Sequence, residues 1–353
     1  MAKVVYLLGA GASRGRRFSD KENFTIDPTI FKNDIIEGLP VVAEMPERLE
    51  YICSILSNII IEDKDNEAIR YEGAIDVKDG IRELIDGLQW LKKESQNHAT
   101  IDTFAKKLFL KQEFDDFEKV KKLLAVYFTI EQIINKSDAR YDTFLANVLT
   151  EELEIPDELC IVTWNYDSFF ELAFQEYRGK FKQSSEIGCY SINDKVSNYD
   201  NATIFKVNGT ASFDDWNSAA SFTNNNKNEL TVILIKEILK GYFLDKSKLD
   251  FAWENEKAGF EKEFFGAIHN RIKDATTLVV IGYTFPFFNR KMDKWILEQM
   301  PSLRDIYIQD IRAEMLQDNV YAVIPSSKKN LFGGGIEIFP KKNCDQFFLP
   351  PEL

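Results

Sequence analysis

Histidine is the scarcest reactive side chain here: 353 residues contain two, His98 and His269. His98 stands in the polar stretch Q-N-H-A-T, where a lone histidine is solvated surface. His269 falls in a predicted helix ahead of a buried strand, which a right-handed crossover puts at the strand's amino end. The four cysteines, Cys53, Cys160, Cys189 and Cys344, are far apart. Without a C-x-x-C pair, neither a structural zinc site nor a disulfide framework is expected, and scattered thiols suit a reducing cytosol. No run of apolar residues approaches a membrane span, and the amino terminus has no signal-peptide pattern. Positive charge is also short: 44 basic against 57 acidic residues leave a net charge of −13. Such a surface repels nucleic-acid backbones, so direct nucleic-acid binding is not expected. The expectation is a cytoplasmic protein with no membrane association and no metal.

What the chain does have, at 44% hydrophobic content, is enough apolar residue for a large core. Lys3 to Arg17, K-V-V-Y-L-L-G-A-G-A-S-R-G-R-R, begins with an aliphatic run that reads as a buried parallel strand. Gly9, Ala10, Gly11, Ala12 and Ser13 follow it. Glycine there permits a tight turn and a close backbone approach, and a helix starting near Ser13 would aim free N–H groups at a phosphate. Arg14, Arg16 and Arg17 form the one dense basic cluster. An ordinary strand-to-helix turn with a solvated basic loop explains the same residues.

Further strands are predicted at 159–164, 203–207, 277–281, 305–309 and 335–339. Between the first two strands, apolar residues recur at helical spacing from Glu47 to Ile61 and from Ile81 to Leu149. Asp102 or Thr103 is expected to cap a helix in I-D-T-F. Helices are also predicted at 229–244 and 254–274, and residues 179–201 read as loops. Strands alternating with helices give an α/β fold, a Rossmann-like, mainly parallel sheet covered by helices. Residues 1–40 and 151–353 form that domain, and residues 41–150 an inserted helical subdomain. Asn165 and Asp167 follow the second strand, Asn208 and Gly209 the third, Gly282 and Thr284 the fourth, and Asp310 the fifth. Open parallel sheets bind ligands at that edge. Asp167 or Asn165 capping the next helix is the plainer reading. A dehydrogenase is disfavoured, since no acidic residue ends a second strand about twenty residues after the glycines.

In this order G-A-G-A-S, G-L-P at 38–40, I-D-T-F-A at 101–105, T-W-N-Y-D at 163–167, N-G-T at 208–210 and G-Y-T-F-P at 282–286 resemble the sirtuin-like family. The closer likeness is to its bacterial branch, which hydrolyses NAD+ in antiphage defence. The resemblance implies NAD+ across the strand ends, as substrate or bound ligand. It assigns the pyrophosphate to Gly9, Ala10, Gly11, Ala12 and Ser13 and the nicotinamide ribose to Asn165, with Asp167 ordering that loop and Gly209 beside it. Gly282 and Thr284 would line the adenosine half, and Asp310 would accept a ribose hydroxyl. A trigger is implied too, supplied by a homo-oligomer or a partner defence protein. The chain departs from the family at Asn208, where a histidine serves as general base. A carboxamide takes no proton near pH 7. Three readings stay open: a differently equipped NAD+ hydrolase with Asp167, Asp214 or Asp215 as base, a non-catalytic NAD+ or ADP-ribose binding module, and an active-type site whose histidine was replaced.

Overall fold

The computed structural model describes residues 2–15, 36–62, 76–135, 137–178, 187–194, 199, 201–213, 230–254, 263–329 and 335–353. The chain divides into two compact units. One comprises Met1–Gly38, Lys136–Gly209 and Asp250–Leu353; the other comprises Leu39–Asn135 and Thr210–Leu249. The expected helical insertion at 41–150 is therefore redrawn. Residues 136–150 go with the sheet, and 210–249 join the helical unit, a recruitment that local sequence pattern does not encode.

The first unit is an α/β layer built on seven strands. These are β1 (Val4–Leu8), β2 (Leu159–Thr163), β3 (Cys189–Ser191), β4 (Ile204–Lys206) and, after a separate ribbon of β5 (Gly209–Phe213) and β6 (Ser247–Leu249), β7 (Thr277–Ile281), β8 (Asp305–Gln309) and β9 (Glu337–Lys341). The sheet order is β3-β4-β2-β1-β7-β8-β9, and every neighbouring pair is parallel. The sheet is Rossmann-like. Central strands β1, β2 and β7 are buried at every position, which is why they read as continuous apolar runs.

Alternate residues serve opposite faces. Val5, Leu7, Cys160, Val162, Phe205, Leu278, Val280, Ile306 and Ile308 share one apolar core with Phe264, Phe265, Ile268, Met292, Ile296, Leu316 and Val320, from the helices at 263–272, 290–298 and 313–323. The other face, with Tyr6, Leu8, Ile161, Thr163 and Lys206, meets residues of helices 139–148 and 169–178, such as Phe144, Tyr141 and Phe170. The segment 343–350 lies on this side, where the Tyr6 hydroxyl donates to the Phe348 carbonyl at 2.8 Å.

The second unit holds helices at 45–62, 77–97, 101–111, 114–134 and 232–244. Arg48 forks onto Glu131 at 3.0 Å through both Nε and Nη2, pairing a fully buried carboxylate.

Four local expectations change. Cys189–Ser191 is a strand inside the expected loops; three residues are too few to show a period. The last strand runs 337–341, two residues beyond the predicted 335–339. Thr100, not Asp102 or Thr103, caps helix 101–111, its Oγ1 accepting from the Thr103 N–H at 3.1 Å. Of the helix predicted at 254–274, Glu263–Ile272 is helical and 252–254 is a 3-10 turn, while 255–262 lie outside the described residues.

Candidate functional site

Because the strands run parallel, the turns after β1, β2, β4, β7 and β8 share one edge of the sheet. They carry Gly9, Asn165, Asn208, Gly282 and Asp310. From β1 the chain builds outward through β2 and β4, then crosses to β7 on the other side of β1. The carboxyl ends of β1 and β7 are thus a topological switch point, where open α/β sheets bind ligands.

The glycines there are required by each other. A Cβ on Gly11 would stand 2.7 Å from the Gly282 Cα, and one on Gly9 would stand 2.7 Å from the Gly282 oxygen. Gly282 itself has φ +59°, and a Cβ there would lie 2.4 Å from the Gly11 backbone. The Gly9 N–H donates to the Ile281 carbonyl and the Gly11 N–H to the Gly282 carbonyl, both at 3.0 Å. The helix expected at Ser13 is a single 3-10 turn, Ala10–Ala12. Its bonds use the N–H groups of Ala12 and Ser13 as well. Within residues 9–13, only exposed Ala10 keeps its N–H outside these bonds.

Ser13 also differs from expectation. It is 1% exposed, and its hydroxyl serves the protein interior. Its Oγ lies 2.7 Å from the Tyr141 hydroxyl and accepts from Asn165 Nδ2 at 3.0 Å. Asp167 bonds to it too, and its carboxylate accepts from the Phe169 N–H at 3.0 Å, so the capping reading of Asp167 holds. Burial raises the Asp167 carboxyl, against the opposing pull of Lys206 and of the bonds from Phe169 and Ser13. Burial, then the Asp167 charge, pushes the Tyr141 hydroxyl well above its ordinary value. Burial alone would lower Lys206, but Glu171 at 2.6 Å holds it up at about 12.

Asn208 extends β4 where Asn165 extends β2. The ladder ends at Thr163↔Lys206, so each asparagine stands two residues past the last paired residue of its strand. Asn208 Nδ2 donates to the Trp164 carbonyl at 3.0 Å, which fixes the amide's orientation because a carbonyl only accepts. Its Oδ1 is buried without a partner. Gly209 follows at φ +75°. The Trp164 indole stacks on Tyr283 with centroids 5.5 Å apart. The Tyr283 hydroxyl lies 2.9 and 3.0 Å from the two oxygens of Asp293. Asp293 is 1% exposed, and burial raises its carboxyl well above the usual range, against the Tyr283 bond and Arg290.

The remaining predicted residues play more local parts. The Asp310 carboxylate accepts from the Arg312 N–H at 2.8 Å in the turn before helix 313–323, and the Thr284 carbonyl accepts from Asn319 at 3.0 Å. His269 bonds to Gln299 at 2.8 Å, two residues from Arg271, which reaches the Leu159 carbonyl at the amino end of β2. His269 therefore serves the sheet's far edge. His98 belongs to the other unit, its Nδ1 3.0 Å from the Glu94 carbonyl. Asp214, Asp215, Arg16 and Arg17 lie outside the described residues. Among those described, no group of three or more metal-type ligands forms and no helix is long and apolar enough to cross a membrane.

A clamp at 138–141 gave no sequence signal. Arg140 Nη2 donates to the carbonyls of Gly11 and Ala12, both at 3.1 Å, while Nε pairs with Asp138 at 2.8 Å. Tyr141 reaches Ser13, and the Ala139 N–H donates to Glu37 at 2.9 Å. Glu37 and Gly38 in turn pack so tightly on residues 13–15 that a Cβ on Gly38 would stand 2.2 Å from the Ser13 oxygen. Helix 139–148 thus anchors the glycine turn from more than a hundred residues away in sequence.

Neither protein-family models nor curated proteins give a match to this chain.

Proposed function

We propose that this chain is a sirtuin-like NAD+-binding protein of the NAD+-hydrolase type, with its catalytic histidine position filled by Asn208. The observation that carries the reading is the convergence of Asn165, Asn208, Gly9 and Gly282 on one sheet edge at the switch point. Asn208 Oδ1, a buried acceptor without a partner, fits a ligand hydroxyl such as one on a ribose. An orphaned buried acceptor costs about 1–3 kcal/mol, so a ligand that satisfies it gains that much. Ala10 would offer its N–H to the pyrophosphate, and Asn165 would face the nicotinamide ribose. Gly282, Thr284 and Asp310 would border the adenosine half.

A second reading has its own support. Asn208 cannot take a proton, and near it Asp167 is engaged with Phe169, Ser13 and the Lys206 charge. Losing a general base costs about 10²- to 10⁴-fold in rate. A binding or sensing module for NAD+ or ADP-ribose is the form of the site with no turnover. In the hydrolase form, unregulated NAD+ loss would harm the host. A homo-oligomer or a partner defence protein would then gate the activity, and constitutive turnover by an isolated monomer would remove that part of the proposal.

The test is nicotinamide release from NAD+ by this chain beside Asn208→His. Release by the histidine variant alone identifies a hydrolase site missing its base. Release by both moves the chemistry to Asp167 or to Asp214 and Asp215. No release by either, with NAD+ still raising the melting temperature, selects the binding module.

A further inference from the structure

Among the described residues, Lys206 is the one charged residue inside the buried centre of the sheet, 2% exposed, between Phe205 and Val207. Its ammonium pairs with Glu171 at 2.6 Å, donates to Ser168 Oγ at 3.3 Å, and donates to the backbone carbonyl of Asp167 at 2.5 Å. A lysine has three donors, and each has a partner. The ion pair by itself is a poor reason for burying a charge. Replacing such a pair with apolar side chains of similar volume often leaves stability unchanged or raises it. What apolar side chains cannot replace is the bond to the Asp167 carbonyl.

That carbonyl belongs to the turn after β2, which carries Asn165. Lys206 itself stands two residues before Asn208. One side chain therefore ties the turn bearing the first asparagine to the strand delivering the second. Packing alone leaves slack there. Lys206, Glu171, Asp167, Asn165 and Tyr141 help enclose a cavity of about 10 Å³ beneath the turn, the room of a single water. Cys189 adds only a weak contact, its Sγ 3.3 Å from Glu171.

We infer that Lys206 is a positioning residue whose bond to the Asp167 carbonyl sets Asn165 against Asn208, and so sets the affinity for the ribose of NAD+. The inference rests on the NAD+ reading above.

The test is calorimetric titration of NAD+ into four full-length proteins: the natural chain, Glu171→Gln, Lys206→Met, and Lys206→Met with Glu171→Met. The single lysine variant leaves the mostly buried Glu171 carboxylate, 12% exposed, without its cation and is expected to melt early. The double variant removes both charges; it still leaves the Asp167 carbonyl without its donor, and it is expected to melt below the starting chain but well above the single lysine variant. Glu171→Gln retains the lysine and its bond to the turn, and its affinity is expected within about threefold of natural. The folded double variant is expected to bind at least tenfold more weakly. A double variant that folds and binds NAD+ as the natural chain does would overturn the positioning role while leaving the NAD+ reading intact. A natural chain that binds no NAD+ would overturn both.

Discussion

On one face of the parallel sheet, Val5, Leu7, Val162, Leu278 and Ile308 meet Phe264, Phe265, Ile296 and Leu316 in a core that is almost wholly apolar. On the other, the same strands present Thr163, Lys206 and Gln309 alongside Tyr6 and Leu8, and the elements above contribute Tyr141, Asp167, Glu171 and Arg140. Both faces are buried, so the difference is one of material. The apolar face gains stability from area removed from water, with no directional demand. The polar face gains little net stability per bond, yet each bond fixes a direction and each lost partner is costly. Its bonds end on the turns that carry Ser13, Asn165 and Asp167. Stability is concentrated on one face and orientation on the other.

The sharpest way to break this contrast is on the apolar side. Phe265→Ala, at a fully buried position, is expected to cost about 3–5 kcal/mol in urea unfolding. It should leave the NAD+ affinity of the folded protein as it was, whereas an affinity loss would mean the faces are not separable. Next comes the seam between the turns. Gly282→Ala would force a Cβ to within 2.4 Å of Gly11 at φ +59°. It is expected to cost about 3 kcal/mol and to weaken NAD+ binding as well. On the polar side the balance reverses. Asn165→Ala removes the donor to Ser13 and is expected to cost only about 1–2 kcal/mol in stability. Its NAD+ affinity should fall at least tenfold, read by titration of the folded variant.

The smallest effect concerns Asp293, the polar exception on the apolar side. Burial raises its carboxyl above the ordinary 3.8, so the folded chain holds that proton more tightly than the unfolded chain does. The group therefore favours folding at low pH, and its contribution declines as pH rises above the ordinary value toward the raised one. Asp293→Asn is expected to lose less melting temperature than the unsubstituted chain as pH rises from about 4, just above the ordinary carboxyl value, to neutrality. Parallel curves would show that Tyr283 keeps the carboxylate comfortable while ionised.

These contrasts also explain what sequence could and could not reveal. V-V-Y-L-L and T-L-V-V-I announce central strands because both faces are buried, and polar residues directly after them mark the ligand edge of a parallel sheet. That logic located Gly9, Asn165, Asn208 and Gly282. It could not tell that Gly9, Gly11 and Gly282 make room for one another, since their close approach joins segments some 270 residues apart. Nor could it turn Ser13 inward, because its partners Tyr141 and Asn165 are distant in sequence. In the sequence Lys206 is no more than one charge within the strand predicted at 203–207. Its reason, the Asp167 carbonyl and Glu171, exists in the folded chain alone. Cys189–Ser191 is held by pairing with β4 rather than by any pattern of its own.

The measurement that bears most directly on the central claim is a calorimetric titration of NAD+ into the purified natural chain. Saturable binding at one NAD+ per chain, abolished or weakened at least tenfold in Asn165→Ala, is the predicted result. An absence of heat up to millimolar NAD+, or binding indifferent to Asn165, would contradict it.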